Sequence, residues 1–169
     1  MRSSTPGARS LTLEKQAVQV RFIWPTLTAR VGGGALTVRG VVRPTPLADS
    51  YRVRIVYAPG DVPKAFVDSP ALRPRDDGQP IPHVYPGPRP CLYLPGSGEW
   101  TNRMSIAKTI IPWLMLWLTY YELWRATGVW QGGGVEHGAA VDGSPGDEQK
   151  LEPAPPAAEQ ASSRTPSEP

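Results

Sequence analysis

The sequence predicts an α+β fold: an antiparallel β-meander of three to four strands, preceded by a short N-terminal helix and followed by a long C-terminal amphipathic helix. Three observations carry this. The run "YRVRIVY" (51–57) alternates Tyr51, Val53, Ile55 and Tyr57 with Arg52 and Arg54, the period of a half-buried strand. Strand-like runs stand on either side of it, separated from it by "LADS" and "APGD", both rich in turn-forming residues. Finally, Ile110, Leu114, Trp117, Tyr121 and Trp124 recur at spacings of four and three, which makes one apolar stripe on a helix.

In chain order, "LTLEKQAVQVRFIW" (11–24) comes first and places Leu13, Ala17, Val18 and Phe22 on an approximate helical face, although "VQVRFIW" also reads as a strand. A short helix is expected. The run "ALTVRGVVR" (35–43) sets Leu36, Val38 and Val41 around Gly40, out of strict period, and "KAFVD" (64–68) supplies a third strand. In the last element Pro112 fits the first turn of a helix, where its missing N–H costs nothing, and Gly128 fits the position just past the end. Arg125 suits the negative pole of the helix dipole. Such a stripe normally means packing against a sheet.

Outside these elements the composition changes. Residues 136–169 are rich in Pro, Ala, Glu and Ser and contain no aromatic residue, so they cannot bury enough apolar surface to offset the entropy of ordering. The expected organisation is a disordered start (1–10), one domain (11–135) and a disordered acidic tail (136–169). Charge divides in the same way. Residues 1–135 hold 16 Lys and Arg against 8 Asp and Glu, and the remainder holds 2 against 7. A basic body suits an acidic or nucleic-acid partner, but the arginines are scattered along the strands rather than clustered, which argues for a solvated positive face. Nucleic-acid binding is therefore a minor reading, with a steep loss of affinity in salt as its signature.

Several classes have no support. The longest apolar run, "TIIPWLMLWLTYY", is well short of the roughly 20 residues a spanning helix needs, and the first residues lack the apolar core of a secretory signal. No membrane role and a cytoplasmic location are expected. The single cysteine excludes an internal disulfide and any zinc site built on several thiolates, and no metal or cofactor is expected. P-loop, GxGxxG, HExxH and GxSxG patterns are absent.

That cysteine, Cys91, lies in the proline- and glycine-rich stretch "HVYPGPRPCLYLPGSGEW" (83–100). A lone cysteine is most often a small buried hydrophobe. Here "PGPRP" immediately before it favours an extended, turn-prone surface segment, Arg89 stands two residues away, and His83 is the one histidine of residues 11–135. A cysteine protease would need a Cys–His pair oriented by an Asn or Asp; the one asparagine is Asn102, and the domain is small for a papain-like core.

A helix, a meander containing "YRVRIVY", the proline-punctuated "DVPKAFVDSP", then His83, the pair Cys91-Leu92, Trp100 and a long helix follow an order that resembles the ubiquitin-conjugating enzyme (UBC) fold. His83 in "PHVYPG" resembles part of that family's His-Pro-Asn motif, Trp100 resembles the tryptophan after the catalytic segment, and Pro63 and Pro70 resemble the prolines leading into it. The likeness spans roughly residues 11 to 130. "HVY" has neither the Pro nor the Asn of the motif, and its separation from Cys91 is shorter than the family's. The long helix is more similar to that of the bacterial conjugating-enzyme-like proteins of antiphage CBASS operons, particularly the short systems without a separate activating enzyme.

The resemblance implies an acyl carrier. Cys91 would form a thioester with the C-terminus of a partner protein, the CBASS cyclic-oligonucleotide synthase (CD-NTase, a cGAS/DncV-like nucleotidyltransferase), and a lysine-bearing acceptor would attack it. The motif's Asn is credited with stabilising the oxyanion; in its absence His83 comes first among candidate donors, before Asn102 or backbone N–H groups around Cys91. The alternative is a catalytically inactive UBC-fold module that docks a partner protein. Loss of function in Cys91→Ala at unchanged partner affinity separates the two.

Overall fold

The computed structural model describes residues 9–87 and 89–133. The disorder expected for the start and for the acidic tail falls on residues 1–8 and 134–169, outside the described residues.

Helix α1 (Leu13–Ile23) starts where Thr12 Oγ1 accepts the Lys15 N–H at 3.3 Å, with Glu14 in the first turn. It ends where Trp24 donates its N–H to the Val20 carbonyl at 2.8 Å and Pro25 follows. Its buried face is Gln16, Ala17 and Val20. The expected face was wrong in part: Val18 and Phe22 are 56% and 86% exposed. The reason is a polar side chain in the core. Gln16 is fully buried because its Nε2 donates to the Met104 carbonyl and its Oε1 accepts the Ile106 N–H, both at 2.8 Å. Those bonds fix the rotation of the helix.

Four strands follow: β1 (Leu27–Gly32), β2 (Ala35–Val42), β3 (Tyr51–Tyr57) and β4 (Lys64–Ser69), an antiparallel meander in the order β1-β2-β3-β4. The β1–β2 turn is Gly33-Gly34, with φ of 59° and 75°, the left-handed values that a tight hairpin requires. Leu27, Ala29, Leu36, Val38, Val53, Ile55, Tyr57 and Ala65 face inward and are buried.

The opposite face carries the arginines. Thr28, Arg39, Arg54 and Phe66 form one transverse row, with Arg30 and Arg52 in the rows on either side. The charges scattered along the sequence are thus gathered on one surface, because alternate residues of neighbouring strands share a face. This corrects the expectation that they do not cluster.

Beyond a loop-rich stretch, a two-residue hairpin pairs β5 (Val84–Tyr85) with β6 (Arg89–Pro90). Helix α2 (Ile110–Thr127) buries Ile110, Ile111, Leu114, Trp117, Leu118, Tyr121 and Trp124, the expected stripe and two neighbours, in the same core as the inner sheet face. Pro112 sits in its first turn, and Gly128 ends it at φ 81°. Arg75 Nη1 donates to the Trp124 carbonyl at 3.0 Å, which also receives the Gly128 N–H, and to the Arg125 carbonyl at 2.7 Å, so the last turn is held from outside the helix. Tyr51 of β3 donates to Glu122 Oε1 at 2.8 Å, tying α2 to the sheet. The architecture is the UBC-like α+β arrangement. No helix among the described residues is long and apolar enough to cross a membrane.

Candidate functional site

The segment around Cys91 cannot continue the sheet, since Pro82, Pro86 and Pro90 remove backbone donors and Gly87 turns the chain at φ 82°. It is held instead by bonds from other elements. His83, at φ 52°, offers a single carbonyl that accepts the Cys91 N–H at 2.9 Å and the Trp117 Nε1–H of α2 at 3.0 Å. Tyr93 donates its hydroxyl to the Pro63 carbonyl at 3.2 Å, anchoring the far side of Cys91 to the approach to β4. The next loop is drawn together by Glu99, whose Oε2 accepts the Leu94 N–H and the Ser97 hydroxyl, both at 2.9 Å. Those two bonds hold the Glu99 carboxyl below its ordinary value. Trp100 is buried and packs edge-on against Tyr57 of β3 at 5.3 Å.

Cys91 itself is half-buried. Its Sγ donates to the Tyr93 carbonyl at 3.7 Å, and its side chain is hydrogen-bonded with the Tyr85 hydroxyl. Tyr85 also donates to the Tyr93 carbonyl at 3.4 Å. Burial first, and then the hydrogen bond with Cys91, push the Tyr85 hydroxyl up to about 12, so it remains a protonated donor through the neutral range. The Arg89 guanidinium lies 4.4 Å over the Tyr85 ring.

Two cavities flank the segment. One, about 20 Å³, lies toward β4 and is lined by Tyr85, Arg89, Tyr93 and Pro63. The other, about 110 Å³, is lined by Cys91 and His83 together with Leu92, Trp113, Leu116, Trp117, Tyr120 and Trp130. Its wall is aromatic: Trp130 lies 5.1 Å from the His83 ring, 5.7 Å from Trp117 and 5.9 Å from Tyr120. No group of three or more His, Cys, Asp or Glu able to hold a metal occurs among the described residues.

The two site residues read from the sequence thus share one cavity. Asn102 does not join them; it is exposed, absent from the lining, and its backbone carbonyl accepts the Leu11 N–H at 2.9 Å. The Cys91 N–H, another donor considered, is engaged by His83. Sequence reasoning missed Tyr85 and the aromatic wall. A signal for the wall existed: Trp113, Trp117 and Tyr120 recur at four and three, a second apolar face on α2 beside the core stripe.

With the geometry in place, comparison decides the lineage. A family model described as Type II CBASS E2 protein matches residues 15–138. The chain belongs to the type II CBASS E2 family. The match runs from the first turn of α1 past the end of α2 and includes every residue described around Cys91. No curated protein matches the chain. The protein is thereby an E2-like component of CBASS, with the conjugating-enzyme type of role the family name carries.

Proposed function

We propose that this CBASS E2 is an acyl carrier, with Cys91 as the nucleophile that forms a thioester with the C-terminus of a partner protein, the CD-NTase of its system. The observation that carries this reading is the half-buried Cys91 thiol opening on a cavity beside His83, in a chain of the E2 family with no other cysteine. A free carboxylate and a thiol do not condense in water, so the acyl group reaches Cys91 from an activated carrier, an acyl adenylate or another thioester. A lysine amine of an acceptor protein then attacks the carbonyl carbon, the C–N bond forms, the C–S bond breaks, and the amine proton ends on the released sulfur. His83 acts as helper: its carbonyl fixes the Cys91 backbone and its ring borders the cavity.

Co-expression with the CD-NTase and analysis on non-reducing gels tests this. An adduct cleaved by added thiol, and lost in Cys91→Ala, is expected. An adduct that persists in that variant overturns the assignment.

One observation favours a second reading, an inactive docking module: among the described residues no side-chain amide lines the cavity, so none of them stands in for the family's oxyanion donor there. On that reading Cys91→Ala leaves both partner binding and CBASS function intact.

A further inference from the structure

We infer that the outer face of the β-meander is a docking surface for an acidic polypeptide segment lying extended along the strand direction. This is independent of the chemistry at Cys91. Arg30, Arg39 and Arg52 are exposed on this face, and none of them enters an ion pair among the described residues. The carboxylate on the surface, Asp68, is already bound to Arg54 at 3.2 Å, and Lys64 is held by Asp61 at 2.7 Å. Arg39 stands directly opposite Arg54 across the β2–β3 ladder. Like charges in that position destabilise a sheet. Asp68 offsets Arg54, and Arg39 is left beside it with no carboxylate of its own among the described residues, a position an anionic partner would fill.

Shape and chemistry narrow the partner. A cavity of about 220 Å³ opens here, lined by Thr26, Thr28, Arg39, Val41, Arg52 and Asp68, so two guanidinium groups border it with one acidic side chain; the Thr28 hydroxyl is already bonded to the Arg39 carbonyl at 3.0 Å. Side chains on one face of an extended chain recur every ~7 Å, the same spacing that separates outward residues of these strands, so carboxylates at alternating positions match the arginine rows. Guanidinium forks then take carboxylates two bonds at a time. Nucleic acid fits less well. Phe66, the aromatic residue of the face, is covered by the Arg54 guanidinium at 4.2 Å and offers no stacking platform. The surface is also the face of a four-stranded sheet, whereas a duplex groove admits a helix or a two-stranded ribbon.

Fluorescence anisotropy on the full chain tests the proposal, with a labelled peptide of alternating Glu and Thr as probe, its Gln-for-Glu counterpart, and single- and double-stranded DNA. The Glu peptide is expected to bind about tenfold or more tightly than the Gln peptide, and to weaken by a similar factor between about 50 mM and about 300 mM salt. Arg39→Glu with Arg52→Glu is expected to weaken binding about tenfold or more, while Arg73→Glu with Arg103→Glu, exposed but off this face, stays within about twofold. Arg39→Gln with Arg52→Gln should give an intermediate loss at an unchanged or raised melting temperature, which separates lost charge from lost fold. Equal binding of both peptides, binding of neither, or DNA binding tighter than the Glu peptide overturns the inference; the last makes the face a nucleic-acid site.

Discussion

The meander with α2 and the stretch from Pro82 to Trp100 are built on different terms. In the first, consecutive strands exchange regular backbone bonds, and one apolar face per element meets a common core. In the second, two short strands of two residues each supply almost no ladder, and the chain is fixed by single side-chain bonds: Trp117 reaching in to the His83 carbonyl, Tyr93 reaching out to the Pro63 carbonyl, and Glu99 closing its own loop on the Leu94 N–H. The first region is redundant, since no single polar bond holds it. The second depends on a handful of bonds, two of them between residues far apart along the chain. A side chain placed there, as the Cys91 thiol is, can be oriented sharply while its surroundings stay adjustable, which a ladder would not permit.

The largest effect expected from this contrast lies in the core. Leu114 is 1% exposed in the middle of α2, and Leu114→Ala should cost about 2–5 kcal/mol of stability, from lost burial and the cavity left behind. Urea denaturation measures it. Cys91→Ala, in the side-chain-held region, should change stability by less than about 1 kcal/mol on the same assay. Equal losses from the two substitutions would erase the distinction between the regions.

A smaller effect sharpens the comparison at its seam. Trp117 belongs to both regions: its ring is buried in the core and its Nε1–H bonds the His83 carbonyl. Trp117→Phe keeps most of the buried ring and removes the donor, so global stability should fall by about 1 kcal/mol. Hydrogen exchange of residues 83–92 should rise further than that, because the carbonyl that also receives the Cys91 N–H loses one of its two anchors. Uniform acceleration across the chain would mean that the segment is locked into the core.

The same contrast explains what was legible in the sequence. β3 was readable because Tyr51 to Tyr57 alternate without exception, and α2 because its stripe and both end signals agree. β1 was not expected at all: Leu27 and Ala29 are its only buried residues, and its best signal was the Gly-rich turn joining it to "ALTVRG". The rotation of α1 was unreadable for a different reason. Val18 and Phe22 look like core residues, and nothing local to Gln16 announces that Met104 and Ile106, far along the chain, complete its hydrogen bonds. At the site, Cys91 and His83 could be picked out by rarity and motif order. The carbonyl role of His83, the Tyr85 contact and the wall from α2 could not, because each is a tertiary pairing between residues whose local sequence fits other fates. The arginine face was hidden likewise: strand register assembles it, and register is not written in any one strand.

The smallest effect is a difference at high pH, and it belongs to the side-chain-held region alone. Burial pushes both Tyr85 and Tyr93 up to about 12, against an ordinary tyrosine near 10 in the unfolded chain. For a group raised in the folded state, the stabilising contribution is complete below the unfolded value and is lost as pH rises through the folded one, here between pH ~10 and the value near 12. Burial also raises Tyr51, where the hydrogen bond and charge of Glu122 add to it, and Tyr57, so the parent protein loses stability at more than one place. Comparing it with Tyr85→Phe/Tyr93→Phe cancels the shared terms. The double variant should be less stable at neutral pH, having lost the bonds to the Pro63 and Tyr93 carbonyls, yet fall less steeply in melting temperature as pH climbs. Parallel curves would place the alkaline loss in the core at Tyr51 and leave the Cys91 segment with no share in it.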